Sequence, residues 1–422
     1  MWPKQLHTTL LVFAMSLPVT AQDPDITVCP SGCDFSSLNG ALNSISAGED
    51  VLIHIFAGTY DDAPFNIAGS SGASVTIIGI DGAEQTLLSS AGTGRVFFVG
   101  NGDSMRLEGL SITDGDPGGG SSEGAGVKVV SGGSLELINC IVRDNETDSR
   151  GAGVYVENGA TAVIEGCLFK DNQTISDGAG IFVDSGASAV IEGCLFQDNH
   201  IIEGSSLLHD GGGVYINSID GSTVDRCRFI SNHATGYGGG ICQKRLSQDP
   251  SVVDVFPQVQ NSLFVDNSAG FNGGGAWIEP ALLGCKNPVV IGYVANCTFI
   301  GNSSPRAGAI HGNWKSWCGV SLGLDSPSCA VVNSILWKNG PDWPSDRPPI
   351  TFKNCVIDYL SADEAAALEC TNLNPRFYDE SGPDGIYWNG DGDYRMLPGS
   401  SCIDSGTSQF LGAALDPGLF DV

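Results

Sequence analysis

Basic residues are scarce. The 422-residue chain carries 19 Lys and Arg against 48 Asp and Glu, a formal net charge of −29, spread along its length rather than gathered in a tail. Nucleic acids and anionic membranes attract basic patches, so neither is expected as a partner. The acidity itself serves solubility or, as a sharper alternative, draws in divalent cations. Beyond the N-terminus, no stretch reaches the ~18 apolar residues that suggest a membrane-spanning helix. No terminal stretch alternates over the ~10 residues of an outer-membrane barrel strand. The 14 Cys include no Cys-x-x-Cys pair or His cluster with zinc spacing, so no metal and no cofactor is expected. The six His support no defensible Ser-His-Asp set.

Glycine, in contrast, is abundant, with 58 residues, and it falls within a repeated phrase. The phrase is clearest over residues 178–199: Gly-Ala-Gly-Ile-Phe-Val, a short turn, Ala-Val-Ile-Glu-Gly, then Cys-Leu-Phe-Gln-Asp-Asn. Its last six residues return at Cys140–Asn145, Cys167–Asn172, Cys194–Asn199, Cys227–Asn232 and Cys297–Asn302, with Ser replacing Cys at Ser262–Asn267 and Ser334–Asn339. The Gly-rich half returns at Gly124–Val129, Gly151–Val156, Gly178–Val183, Gly211–Ile216, Gly238–Gln243, Gly273–Ile278 and Ala307–Gly312. Successive copies begin 27 to 37 residues apart, a period that signals stacked units, none able to bury its apolar face alone.

Within residues 151–172, Val154 and Val156, then Ala162 and Ile164, then Cys167 and Phe169 alternate with their neighbours. Period-2 stretches punctuated by Gly and Asn predict strand, turn, strand, turn, strand. That is one coil of a parallel β-helix. Leucine-rich repeats need a Leu/Asn frame absent here, and a propeller needs more strands per period. Coils spaced ~4.8 Å apart put like residue on like. Cys140, Cys167, Cys194, Cys227 and Cys297 are therefore expected in an inward slot, as small buried residues. Asn145, Asn172, Asn199, Asn232, Asn267 and Asn302 are expected to form an inward amide ladder.

The two halves of the phrase, for example Gly211-Gly212-Gly213-Val214 and Phe229-Ile230-Ser231-Asn232, resemble the Gly-Gly-Ala-Ile and Phe-x-x-Asn half-motifs of the chlamydial polymorphic outer membrane proteins. The resemblance covers about residues 108–340 and implies a right-handed β-helix and a surface location more than an activity. Autotransporters of that type carry a barrel after the repeats, and no such pattern occurs here. At the N-terminus, Lys4, the apolar run Leu10–Leu17 and Val19-Thr20-Ala21 read as a signal peptide. The chain is accordingly expected to be secreted, extracellular or on the cell surface, with outer-membrane association as a variant. Ser37 is expected to cap a helix whose Leu38, Ala41, Leu42 and Ile45 share one face. This helix, a strand and Gly58-Thr59-Tyr60 resemble the start of pectin-active and related β-helix proteins.

The expected fold is all-β: a right-handed parallel β-helix with a short N-terminal capping helix and an irregular C-terminal cap. Its expected boundaries are a signal peptide at 1–21, an N-terminal cap at 22–60, β-helix repeats at 61–358 and a C-terminal cap at 359–422. In an exported chain, cysteines outside the repeat slot invite disulfides. Cys29–Cys33 and Cys370–Cys402 are the candidate pairs, and Cys242, Cys285, Cys318 and Cys329 receive no pairing.

For function, the middle residue of each Gly-rich strand should face outward: Lys128, Tyr155, Phe182, Tyr215, Cys242, Trp277 and His311 in successive coils. Exposed aromatic columns stack sugar rings through their apolar faces. The long inserts after these strands bring Trp314 and Trp317 near Trp277. The candidate ligand-binding residues are Tyr215, Trp277, His311, Trp314 and Trp317, and the expected partner is a polysaccharide or cell-surface glycan. A neutral glycan is expected, because a highly acidic surface repels an acidic one. The competing expectation is that the inserts fold back and bury the column. A monomeric, non-catalytic binding or adhesion scaffold is expected, with no catalytic residue assigned. The alternative is a carbohydrate-active enzyme, a polysaccharide lyase or glycoside hydrolase, using outward acids such as Glu165, Glu192 and Asp225.

Overall fold

The computed structural model describes residues 25–66, 72–119, 122–203, 208–217, 221–244, 257–278, 292–312, 329–332, 334–340, 350–353, 355–358, 362–363, 370, 372–375, 377–379 and 393–396. The expected signal peptide lies outside the described residues. Among these, parallel strands build a 12-stranded sheet from Ile26–Val28 to Ile350–Lys353 and an 11-stranded sheet from Gly58–Tyr60 to Val356–Ile357. A nine-stranded sheet runs from Phe65–Asn66 to Ile310–Gly312. Each repeat strand pairs in register with its counterpart one coil on: Val154–Val156 with Ile181–Val183, Thr161–Glu165 with Ser188–Glu192, Leu168–Lys170 with Leu195–Gln197. The chain is a parallel β-helix.

The register turns the repeat into columns. Phe169, Phe196, Phe229, Phe264 and Phe299 are fully buried. Their ring centroids lie 4.9, 4.8, 4.7 and 4.5 Å apart, nearly parallel. That spacing is the strand spacing itself, so the backbone dictates the stack. The facing glycines give the rings room. A Cβ on Gly180 would stand 2.4 Å from the Gly213 carbonyl oxygen and 3.2 Å from the Phe196 ring.

Beside the rings run two polar columns. Asn145, Asn172, Asn199, Asn232, Asn267 and Asn302 are all fully buried. Each Nδ2 donates to the Oδ1 of the next, always at 2.9 Å, and the last reaches Asn339. Each Nδ2 also donates backwards to a backbone carbonyl, as Asn199 does to Phe169 at 2.9 Å. From Asn172 onward each Oδ1 accepts in addition the backbone N–H of the preceding ladder residue, as Asn199 does from Asn172 at 3.3 Å, and the first, Asn145, accepts the Gly115 N–H at 2.9 Å. Every amide is saturated, which makes its burial tolerable.

The second column holds Cys140, Cys167, Cys194, Cys227 and Cys297, buried thiols whose S–H groups donate to carbonyls. Cys167 Sγ in turn accepts the Cys140 N–H at 3.4 Å. Ser262 and Ser334 hold the same slot and accept the N–H of Cys227 and Cys297 at 3.1 Å. Thiol and hydroxyl interchange because the slot requires one donor and one acceptor on a short side chain. Burial pushes the thiols of Cys167 and Cys227 up, and that of Cys297 to about 12, so they stay protonated.

Two features depart from the periodicity. A fourth sheet of two-residue strands follows the Asn slot, at Glu146–Thr147, Gln173–Thr174, His200–Ile201, His233–Ala234 and Ser268–Ala269. Two residues cannot express an alternation, so sequence pattern alone misses it. The corners, meanwhile, are not left to glycine alone, which holds them at Gly109, Gly166 and Gly193. Asp144, Asp171, Asp198 and Asp266 adopt φ of 53° to 55°, and Asn139, Asn261 and Asn296 φ of 50° to 55°. This left-handed region is one that Asn and Asp tolerate better than other side chains.

At the N-terminal end, Ser37 caps the helix Leu38–Leu42 by accepting the Gly40 N–H at 3.1 Å. Leu38, Ala41, Leu42 and Ile45 are buried and join the same core as the first coils. Cys29 and Cys33 form a disulfide. Toward the C-terminus, Phe377–Asp379 and Asp393–Met396 pair antiparallel, a break from the solenoid pattern. Cys370 Sγ accepts the Cys355 N–H at 3.4 Å. Its proposed partner Cys402 lies outside the described residues, as do Cys285 and Cys318.

Replacing Asn199 by Leu strands the Asn172 N–H and Nδ2–H in the core, at ~1–3 kcal/mol each. The Asn199→Leu protein should therefore melt well below the wild type in a circular-dichroism scan; an unchanged midpoint would rule out a stabilising ladder. Alkylation of the native protein should spare Cys140, Cys167, Cys194, Cys227 and Cys297, and unfolding without reductant should expose all five to the reagent. Cys29 and Cys33 should react only after reduction. Mass spectrometry reads the result, and a disulfide among the five would overturn the assignment.

Candidate functional site

The site considered is the outer side of the nine-stranded Gly-rich sheet. Its strands pair so that Lys128, Tyr155, Phe182, Tyr215, Cys242, Trp277 and His311 stand in one row. The flanking positions, such as Val154 and Val156, belong to the central core, whereas the row forms a separate cluster. The expectation of an exposed aromatic column is corrected here. Tyr155, Phe182, Tyr215, Cys242 and Trp277 are 5%, 1%, 6%, 0% and 3% exposed; His311 is half-buried. Tyr155 and Phe182 stack at 5.5 Å, Phe182 and Tyr215 at 4.8 Å, Trp277 and His311 at 4.8 Å. Tyr215 and Trp277 are thus packed residues, not open stacking platforms. Trp314 and Trp317 lie outside the described residues.

The residues that cover the row come mainly from the short corners between the Asn slot and the Gly-rich strand. Arg150 lies over Phe182, its guanidinium carbon 5.2 Å from the ring centroid. Tyr237 packs on Trp277 at 4.1 Å and meets Phe271 edge-on at 5.3 Å. Arg306 lies over Phe271 at 5.0 Å. Lys128 and Lys244 reach in from the strand and its far end, over Tyr155 at 5.5 Å and over Tyr215 and Tyr237 at 5.7 Å. The sequence reading passed over Arg150, Tyr237, Phe271 and Arg306. Their one signal is position: each falls between the Asn of one half-phrase and the Gly of the next.

A charged knot fixes this cover. Asp210, 3% exposed, contacts Lys244 Nζ through Oδ2 and accepts the Tyr237 N–H through Oδ1 at 2.7 Å. Its own N–H donates to Asp177 Oδ1 at 2.9 Å, and His209 Nδ1 lies 3.6 Å from the same oxygen. Burial raises the Asp210 carboxyl while Lys244 pulls it back. Burial also works against the Lys244 charge, yet the acidic groups around it, Asp210 among them, hold it above the ordinary lysine value. Trp277 Nε1 and His311 Nδ1 are buried with no hydrogen-bond partner among the described residues. Burial, assisted by Arg306, pushes His311 down to about 4.

The rim exposes half-buried Tyr237, Phe271 and His311 beside exposed Arg306: ring faces and edges with cationic donors, on a rigid base. The outward acids of the alternative lie on another sheet. Glu165, Glu192 and Asp225 are in register on adjacent coils. Arg226 contacts Glu192 and lies 3.3 Å from Asp225, and Asn261 Nδ2 donates to Asp225 at 2.7 Å. Two of those three carboxylates are thereby tied into local pairs. No group of three or more His, Cys, Asp or Glu converges as a metal site among the described residues. No helix among them is long and apolar enough to cross a membrane.

Residues 66–207 and 125–377 match the model of the family described as the right-handed β-helix region. Among solved structures, the chain is similar to a pectin methylesterase from carrot, at 14% identity over 81% of this chain and 90% of that one, with a TM-score of 0.34. It is also similar to a pectin methylesterase from Erwinia chrysanthemi, at 13% identity over 82% and 95%, TM-score 0.38. A third is the A-module of a mannuronan C-5 epimerase from Azotobacter vinelandii, at 12% identity over 77% and 95%, TM-score 0.34. No curated protein sequence matches the chain.

His311 gives the site a pH signature. With its folded value at about 4 and an unfolded value near ~6.5, the unfolded chain binds the extra proton between the two. The stability contributed by neutral His311 is thus whole above about 6.5 and is lost as pH falls toward about 4. The melting-temperature difference between wild type and His311→Gln should shift in favour of the variant across that window and level off below it. A flat difference would place His311 in solvent.

Proposed function

Because the chain belongs to the right-handed β-helix family, whose solenoid presents long straight faces, we propose that it is a non-catalytic carbohydrate-binding scaffold, secreted or held at the cell surface. The observation that carries this reading is the rim of the Gly-rich sheet. Tyr237 and Phe271 stand half-buried, edge to face, beside the Arg306 guanidinium. Half-exposed rings take the apolar face of a sugar, and neighbouring N–H donors take its hydroxyls. Trp277 beneath holds Tyr237, and Tyr237 in turn backs Phe271, so the rings are placed before any ligand arrives, which lowers the ordering cost of binding. The likeness of the repeat halves to those of chlamydial surface proteins supports a surface location. The buried Tyr215 and Trp277 then act as the base of the site, with contact made by the corner residues above them.

A glycan array on the secreted protein identifies a bound glycan, and titration of that glycan against variants tests the site. Tyr237→Ala and Phe271→Ala should each weaken binding by about tenfold or more with a small change in melting temperature. Trp277→Ala should cost about 3–5 kcal/mol of stability, because it removes the ring on which Tyr237 rests. Wild-type protein that binds no glycan, or Tyr237→Ala protein that binds as wild type does, would overturn the reading. Release of reducing sugar or of unsaturated product from a polysaccharide panel would replace it with the enzymatic alternative.

A further inference from the structure

We propose that the side chains of Lys244 and Asp210 condense into an amide, an intramolecular isopeptide bond formed by the folded chain itself. This goes beyond carbohydrate binding and does not depend on it. Lysine–aspartate pairs on a protein surface are common and weak, because water solvates both charges. This pair is placed differently. Asp210 is buried and Lys244 half-buried. Lys244 Nζ contacts Asp210 Oδ2 and stands 5.7 Å from the ring centroids of Tyr215 and Tyr237. Trp277 packs on Tyr237 at 4.1 Å and closes the cluster. An amine held against a carboxyl oxygen lies beside the carboxyl carbon, which is the placement a condensation needs.

The carboxyl is held as an electrophile. Its Oδ1 accepts the Tyr237 N–H at 2.7 Å, so negative charge developing on Oδ1 during attack meets a donor already in place. Gly236 makes room for this approach: a Cβ there would stand 2.3 Å from Oδ1. Asp177 is the proton carrier. Its Oδ1 is anchored on the Asp210 N–H at 2.9 Å, and its charge bears on both Asp210 and Lys244. Burial works against both charges, although the acids around Lys244 hold its proton. Passing that proton to Oδ2 leaves a neutral amine beside a carboxylic acid, the form that a buried site favours. The amine lone pair then attacks Cγ, and Oδ1 takes the negative charge. A proton from the nitrogen passes through Asp177 to Oδ2, the Cγ–Oδ2 bond breaks, and Oδ2 leaves as water. An ammonium and a carboxylate thus become an amide and one water, with no oxidant and no co-reactant. A rival nucleophile, the Gly211 nitrogen next in sequence, is occupied: its N–H donates to the Tyr237 carbonyl at 2.9 Å. The bond joins the corner ahead of Val214–Ile216 to the end of the paired strand Ile241–Gln243, 34 residues on. It adds a covalent tie to the hydrogen bonds between coils.

Mass spectrometry of the full-length protein, reduced and unfolded for measurement, tests this. Chain purified under denaturant should carry the mass its sequence requires and become one water lighter on refolding. Peptide mapping should then find a branched peptide joining Asp210 to Lys244. Lys244→Arg, which keeps the charge but not the nucleophile, and Asp210→Ala should both keep their full mass. Asp177→Asn should slow the loss of water by about a hundredfold or more. Refolded wild-type protein that melts cooperatively yet retains its full mass would overturn the proposal. So would a loss of water that Lys244→Arg shows equally, or one that hydroxylamine reverses, which marks a ring closed between Asp210 and Gly211. Asp177→Asn protein that loses water at the wild-type rate would overturn the role given to Asp177.

Discussion

Each coil of this solenoid is fastened to the next by an asparagine that has nowhere else to put its hydrogen bonds. An amide has two donors and an acceptor with two lone pairs. In the interior of a β-helix only the coil before and the coil after can meet them. Asn232 meets both: its Nδ2 donates to Phe196 O behind and to Asn267 Oδ1 ahead, each at 2.9 Å. A slip of one residue would move the amide to the outer face and orphan its neighbours, so the ladder sets register as well as cohesion. The phenylalanine three positions earlier follows from the same constraint. Its carbonyl receives the ladder amide of the next coil, and its ring stacks on the ring of that same coil. The Phe-x-x-Asn phrase is thus the sequence trace of one local device.

That device explains what was legible. Repetition of Phe169, Phe196 and Phe229 at fixed distance from Cys and Asn is enough to place strands in register, because identical residues in identical slots give each coil the same solution. The helix at Leu38–Leu42 was legible through its Ser37 cap and apolar face. Where the chain departs from alternation, sequence pattern loses information. His200–Ile201 and His233–Ala234 pair over one or two residues only, too few to display a period. Asp171 and Asp198 read as ordinary polar residues, yet their φ values of 54° and 53° turn the corner ahead of each ladder Asn. Arg226 and Lys338 adopt the same region at 51°, and only their place in the repeat, before Cys227 and before Asn339, marks them.

The outer row of the Gly-rich sheet was legible in direction but not in exposure. Period 2 places Tyr155, Phe182, Tyr215 and Trp277 away from the core, and it is silent about what lies above them. That depends on side chains about one coil away in sequence, such as Tyr237 on Trp277 and Lys244 on Tyr215. Apolar rings left open would cost free energy for each square ångström of unburied surface. Corner segments of four or five residues are long enough to fold back, and they carry Arg150, Tyr237 and Arg306 to the rings.

The cover also gathers charge against the trend of the composition. A chain with so few cations spreads repulsion over most of its surface, yet on this one face Lys128, Arg150, Lys244 and Arg306 are drawn to aromatic rings that hold them in a line. The attraction of a cation to a ring face is modest, about 0.5–1 kcal/mol at exposed sites, but it acts on position rather than on total charge. Two of the four are neutralised by carboxylates and serve to tie the corners down. The other two are oriented by their rings and keep their forks. Repetition gives the row, the row gathers the cations, and the spacing of the coils then sets the interval between them.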